Sequence, residues 1–173
     1  MFDKFGEFDS AEEINRAAAA QKAEGDLEAL KILAIENGLD PEDAEDYMKD
    51  MLPELCTPTM AAIGKLKVEA ENLKLEREFA MLKEELQMNC MSFSWLAIGV
   101  RKKGKSLAEY LAKVIDKGYQ DAVTPPKAIL DKVTAVPSQY RDQMKTGMPD
   151  KKDRMEVMKK YYQIEGGEKG DSV

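Results

Sequence analysis

The sequence contains no histidine and two cysteines, Cys56 and Cys90. Without imidazole the commonest general base is missing, and so is the usual partner of serine and cysteine nucleophiles. Two thiols alone build neither a disulfide framework nor a zinc site of ordinary ligand type, so both are expected to be buried and reduced. No metal or cofactor is expected, and the residues present point to a protein that is not an enzyme. Long apolar runs are missing too. The longest uncharged stretch, "LQMNCMSFSWLAIGV" over 86–100, has 15 residues, against the roughly 20 apolar residues of a membrane-spanning helix. The opening "MFDKFGEF" alternates phenylalanine with charge, unlike a secretory signal. These features predict a cytoplasmic protein with no membrane association.

Strand-type alternation is also lacking, whereas helix punctuation is dense. Ser10 with Glu13 forms a capping box ahead of "AEEINRAAAAQKAE", and Gly25 supplies the stop. Asp26 starts "LEALKILAIEN", which Gly38 ends. Asp40 followed by Pro41 opens "PEDAEDYMKDML". Thr57 and Pro58 open a run to about Asn89, in which the apolar spacing of "GKLKVEAENLKLERE" fits no single stripe and predicts a break within 64–76. A helix from about 76 to 102, interrupted near Asn89, accounts for Phe79, Leu82, Leu86, Phe93, Leu96 and Val100. Further helices are predicted at 107–119, 125–134, 138–145 and 151–164, the last capped by Asp150. The last residues, "EGGEKGDSV", lack a core-forming pattern.

The predicted fold is all-α: an acidic N-terminal helical bundle (1–60), a hinge and connecting helix (61–90) forming part of a long central helix, a basic helical module (91–165) and a disordered tail (166–173). Residues 1–90 carry 22 Asp and Glu against 10 Lys and Arg, a net −12, and residues 91–173 carry 11 against 16, a net +5. Such sign separation fits two surfaces with different partners.

One string matches a known chemical motif. "GVRKKGKS", residues 99–106, has the letters of a phosphate-binding P-loop. That device needs a buried strand before the glycine turn, a mostly parallel sheet, and an acid at the end of another strand to hold magnesium. Here the candidate acids, Asp116 and Asp131, fall in helical stretches. Ser106 with Glu109 reads instead as a capping box, with Gly104 turning the chain before it. The match is expected to be accidental.

The charges themselves remain. Arg101, Lys102, Lys103 and Lys105, joined by Lys151, Lys152, Arg154, Lys159 and Lys160, form the candidate basic surface for a partner or for nucleic acid. Neither a zinc-finger spacing nor an aromatic-interleaved RNA signature accompanies them, and the proline-punctuated turns of 107–146 carry only a faint helix-turn-helix signal. Glu42, Asp43, Glu45, Asp46 and Asp50 form the candidate acidic face, opposite an inward stripe of Ala44, Tyr47 or Met48, and Met51 with Leu52. The segment lacks the glycine and terminal glutamate of an EF-hand. A row of carboxylates on a helix can occupy a basic groove built for nucleic acid. The central helix also offers a surface on which a second copy could pair.

"RKKGKSLAEYLAKVIDKGY" and "GMPDKKDRMEVMKKYY" resemble small proteins carried by phages and conjugative elements of gut Firmicutes. The shared features are a Lys-Gly-Lys-Ser-Leu helix start, a Gly-apolar-Pro turn (Gly147, Met148, Pro149) and a basic last helix ending in Tyr161 and Tyr162. "MLPELCTPTMAAIGKL" belongs to the same likeness, which spans about 40 to 173. Some proteins of that group resemble anti-CRISPR inhibitors of type II RNA-guided nucleases. The resemblance implies a protein partner, a CRISPR effector nuclease, and assigns no role to any individual residue. The sequence thus leads to a non-enzymatic binding protein, an inhibitor of such a nuclease, with a DNA-binding accessory protein of a mobile element as the alternative.

Overall fold

The computed structural model describes residues 4–163 and contains ten helices and no strand among them. The 166–173 tail expected from the sequence lies outside these residues. Each of the first four helices starts on the residue its sequence advertises. In α1 (Ala11–Glu24) the Ser10 hydroxyl accepts from Glu13 N, while Glu13 reaches back to Asp9 N at 2.7 Å. Asp26 caps α2 (Leu27–Glu36), Asp40 caps α3 (Pro41–Met48) and Thr57 caps α4 (Pro58–Leu73).

The boundaries differ from expectation in instructive places. Helix α3 stops at Met48 instead of running to Leu52: Lys49 leaves the helix, Asp50 takes φ 60°, and Met51 is 66% exposed, so it does not join the inward stripe. The break sought in 64–76 falls at its end, where Lys74 closes α4 in the left-handed region (φ 51°). The helix expected over 76–102 is two helices, α5 (Arg77–Ser92) and α6 (Ser94–Arg101), separated by an extended Phe93. Asn89 and Ser92 donate to the carbonyls of Glu85 and Met88, four residues back. Such back-bonding competes with the helical ladder and accompanies bends. Helix α7 (Leu107–Gln120) follows. α8 (Lys127–Leu130) and α9 (Ser138–Arg141) are single turns, shorter than predicted, and bury only Leu130 between them. Without an apolar face to dock, so short a helix gains too little to propagate. They also leave 107–146 without the second full helix that a helix-turn-helix needs. Helix α10 (Lys151–Tyr162), capped by Asp150, closes the described chain.

Two apolar clusters result. The first joins α1, α2 and α3 through Ile14, Leu30, Leu33, Ala44 and Tyr47, with Leu55 and Cys56 from the following loop. The second joins α4 to α7 and α10 through Leu66, Leu86, Leu96, Leu107, Tyr110, Met158 and Tyr162. Helix α4 serves both, since Ala61 faces the first cluster and its neighbour Ala62 the second. Gly64 permits this, because a Cβ there would collide with the Asn37 carbonyl at the end of α2.

Charged groups cross the seam between the clusters. Lys65, 1% exposed, donates to Glu7 at 2.6 Å and to the Lys102 carbonyl at 2.8 Å. Glu69, one turn on, accepts from Leu107 N at 2.6 Å, fixing the start of α7 on α4. Burial raises the Glu69 carboxyl above its ordinary range, with the Leu107 N–H and then Lys65 opposing.

Candidate functional site

The segment 99–106 does not have the strand, glycine turn and helix of a P-loop. Gly99 lies inside α6, where a Cβ would collide with the Tyr162 carbonyl, so it is a helix-packing glycine. Gly104 has φ +74° and turns the chain. The Ser106 hydroxyl accepts from Glu109 N at 3.2 Å as the cap of α7. An anion does occupy the turn, and it belongs to the same chain: Asp9 accepts from the Lys102 ammonium at 2.7 Å and from Lys103 N at 3.0 Å. These two bonds, Lys102 first, hold the Asp9 carboxyl below its usual range.

Several cations nominated by sequence therefore have internal duties. Arg101 is 1% exposed and donates to Asn37 at 2.7 Å, tying α6 to the end of α2; it is withdrawn from any surface. Lys102 holds Asp9. Arg154 grips Glu85 with two nitrogens, at 2.6 and 3.1 Å, and the Pro149 carbonyl with a third, locking α10 to α5. Of the nominated cations, Lys103, Lys151, Lys152, Lys159 and Lys160 are exposed, while Lys105 is half-buried with its ammonium 4.6 Å from the centre of the Tyr161 ring.

The acidic face divides in the same way. Glu45 pairs with Lys31 at 2.7 Å and Lys49 at 3.5 Å, and Asp50 with Lys22 at 2.6 Å. Among the described residues, Glu42, Asp43 and Asp46 have no ion pair, and Asp40 uses its carboxylate to cap α3. Burial, followed by the charges of Asp40 and Asp46, raises the Asp43 carboxyl above its ordinary value. Asp43 is thus held beside the like charges of Asp40 and Asp46, with no ion pair among the described residues.

Two surface depressions among the described residues bear on function. One, of about 430 Å³, lies between α7 and α10 and brings Lys105 and Lys160 together with Lys113, Glu109, Val157 and Tyr161. Sequence reasoning named the first two lysines as site residues and missed the rest; the one available signal was the four-residue spacing of Glu109 and Lys113, which puts them on one face of α7. The other, about 410 Å³, is an apolar groove between α5, α7 and the 145–149 loop, lined by Phe79, Ile115, Tyr119 and Met148 among others. No helix among the described residues is long and apolar enough to cross a membrane, and no group of three or more acids and cysteines among them is arranged to hold a metal. Both thiols are buried and free, and burial pushes each up to about 12.

Compared with protein-family models, curated proteins and solved structures, the chain shows no significant match to any of them.

Proposed function

We propose that this chain is a non-enzymatic inhibitor that binds a nucleic-acid-handling protein through the acidic surface of α3. A type II RNA-guided DNA nuclease is the target class that the sequence resemblance suggests. The observation that carries the reading is the group of carboxylates without an ion pair among the described residues, Glu42, Asp43 and Asp46, with the capping carboxylate of Asp40 beside them. Like charges crowded on one short helix disfavour the free protein and favour any state in which a basic surface covers them. Channels that hold guide and target strands are lined with such basic surface, so the α3 carboxylates act there as substitutes for backbone phosphates. Glu45 and Asp50 contribute less, because Lys31, Lys49 and Lys22 already answer their charge. The test is a cleavage assay with a purified type II effector, guide and target duplex. The protein lowers cleavage in a dose-dependent way, and mixing it with effector before the target strengthens the effect. Unchanged cleavage across effectors of several type II subgroups would overturn the reading.

The exposed lysines of α10, Lys151, Lys152, Lys159 and Lys160, favour a second reading, a DNA-binding accessory protein of a mobile element. It requires duplex binding by the whole protein that falls steeply as salt rises.

A further inference from the structure

The depression between α7 and α10 is a built ionic site with more positive charge than it answers. Among the described residues Glu109 is its one acid. Both Glu109 oxygens are engaged, Oε2 by the Tyr161 hydroxyl at 2.9 Å and Oε1 by Lys113 at 3.3 Å. Tyr161 is itself fixed, since its hydroxyl also accepts from Ser106 N at 2.8 Å. Its ring carries the Lys105 ammonium at 4.6 Å and the Lys113 ammonium at 5.3 Å from its centre. Lys105 and Lys160 have no carboxylate partner among the described residues. The described lining thus carries three lysines against one carboxylate, an excess of two positive charges.

We propose that this pocket binds a terminal phosphate group, of a nucleotide or of a nucleic-acid 5′ end. A phosphomonoester carries about −1.5 to −2 charge at neutral pH and three acceptor oxygens, matching the surplus and the number of ammonium donors. Lysines serve such groups as point charges, without the planar geometry of arginine. The volume, about 430 Å³, lies within the roughly 300–1,000 Å³ range of small-molecule pockets and admits the group together with part of what bears it. Val157 supplies an apolar wall for that part. This site is not the P-loop of the sequence pattern: Lys105 is shared, but the anion meets its ammonium group and those of Lys113 on α7 and Lys160 on α10 instead of the amides of a glycine turn. It is independent of the α3 carboxylates, so either can fail while the other stands.

The test uses the full chain and tripolyphosphate, titrated by calorimetry at low salt. Binding of the triple variant Lys105→Gln, Lys113→Gln and Lys160→Gln is expected to be at least about tenfold weaker, since hydrogen bonds to charged groups carry most of such affinity. A control of equal net charge, Lys103→Gln, Lys152→Gln and Lys159→Gln, changes it less than about threefold because those ammonium groups lie outside the pocket. Melting curves of both variants check folding, and the single Lys160→Gln variant repeats the comparison should the triple one unfold. ADP without magnesium, and an oligothymidylate with and without a 5′-phosphate, distinguish the two sources: preference for ADP indicates a free nucleotide, and tighter binding of the phosphorylated strand a 5′ end. Undetectable tripolyphosphate binding, or equal weakening in both triple variants, overturns the proposal.

Discussion

Lys65→Met tests how the two halves of the molecule are joined. The Lys65 ammonium, 1% exposed, meets Glu7, the Lys102 carbonyl and, at 3.9 Å, Glu69. Methionine fills nearly the same volume and removes the charge. Breaking a buried ion pair from one side costs about 3–5 kcal/mol. The low end applies here, because Glu7 is 32% exposed and regains water, so the expected loss is about 3 kcal/mol at pH 7. For a chain of this size that corresponds to a fall in Tm of about 6–12 °C. Urea unfolding at pH 7 and pH 4 measures it. The pH comparison is informative because burial raises the Glu69 carboxyl and Lys65 opposes that rise; removing Lys65 lifts it further. A carboxyl raised in the folded state favours folding below its unfolded pKa, and that contribution disappears as pH climbs through the folded value. The penalty of Lys65→Met is therefore smaller at pH 4, and Glu69→Gln in the Lys65→Met background recovers part of it at pH 7. A change under about 0.5 kcal/mol, the scale of ordinary surface substitutions, would refute the claim that this ammonium ties the N-terminal segment, α4 and the 102–106 turn together.

Three further outcomes follow from named contacts. Asp43→Asn stabilises the protein at pH 7 by about 0.3–0.5 kcal/mol: the raised carboxyl of Asp43 penalises the fold once ionised, so the gain over wild type appears as pH rises through its folded pKa and is absent below its unfolded one, as melting curves at pH 7 and 3 will show. Lys74→Gly stabilises by about 0.5–1 kcal/mol, read by denaturant midpoint, because Lys74 ends α4 at φ 51°, where only glycine avoids the left-handed penalty. Cys56 and Cys90, both buried with thiols pushed up to about 12, react with a thiol reagent in the native protein only as fast as it opens, and at once in denaturant.

The helical framework was legible because punctuation is local. Ser10, Asp26, Asp40, Thr57, Ser106 and Asp150 each cap the helix that their neighbours predict. Apolar rhythm alone predicts a break near Asn89; it falls at Phe93, next to the back-bonding of Asn89 and Ser92, which sequence spacing does not carry. The charged surfaces were legible as composition and illegible as geometry. Arg101 and Lys102 stand among four cations in a stretch of five residues, yet one is buried against Asn37, 64 residues away in sequence, and the other holds Asp9, 93 residues away. Partners that distant leave no trace in a local pattern. The pocket around Tyr161 was missed for the same reason, since α7 and α10 come together only in the folded chain. In the sequence Asp40 shows only as a cap, whereas in the fold it also adds to the charge around Asp43.

The acidic surface of α3 is the centre of the functional account, and one comparison tests it most directly. In one variant Glu42, Asp43 and Asp46 become lysines; in the other Glu71, Glu78 and Glu84, exposed on α4 and α5, do so, giving the same net charge. Both are assayed for inhibition of target cleavage by a susceptible type II effector, after circular dichroism shows native helicity. The account predicts that the first variant loses inhibition and the second retains it. Inhibition that survives the α3 reversal, or that falls equally in both variants, would contradict it.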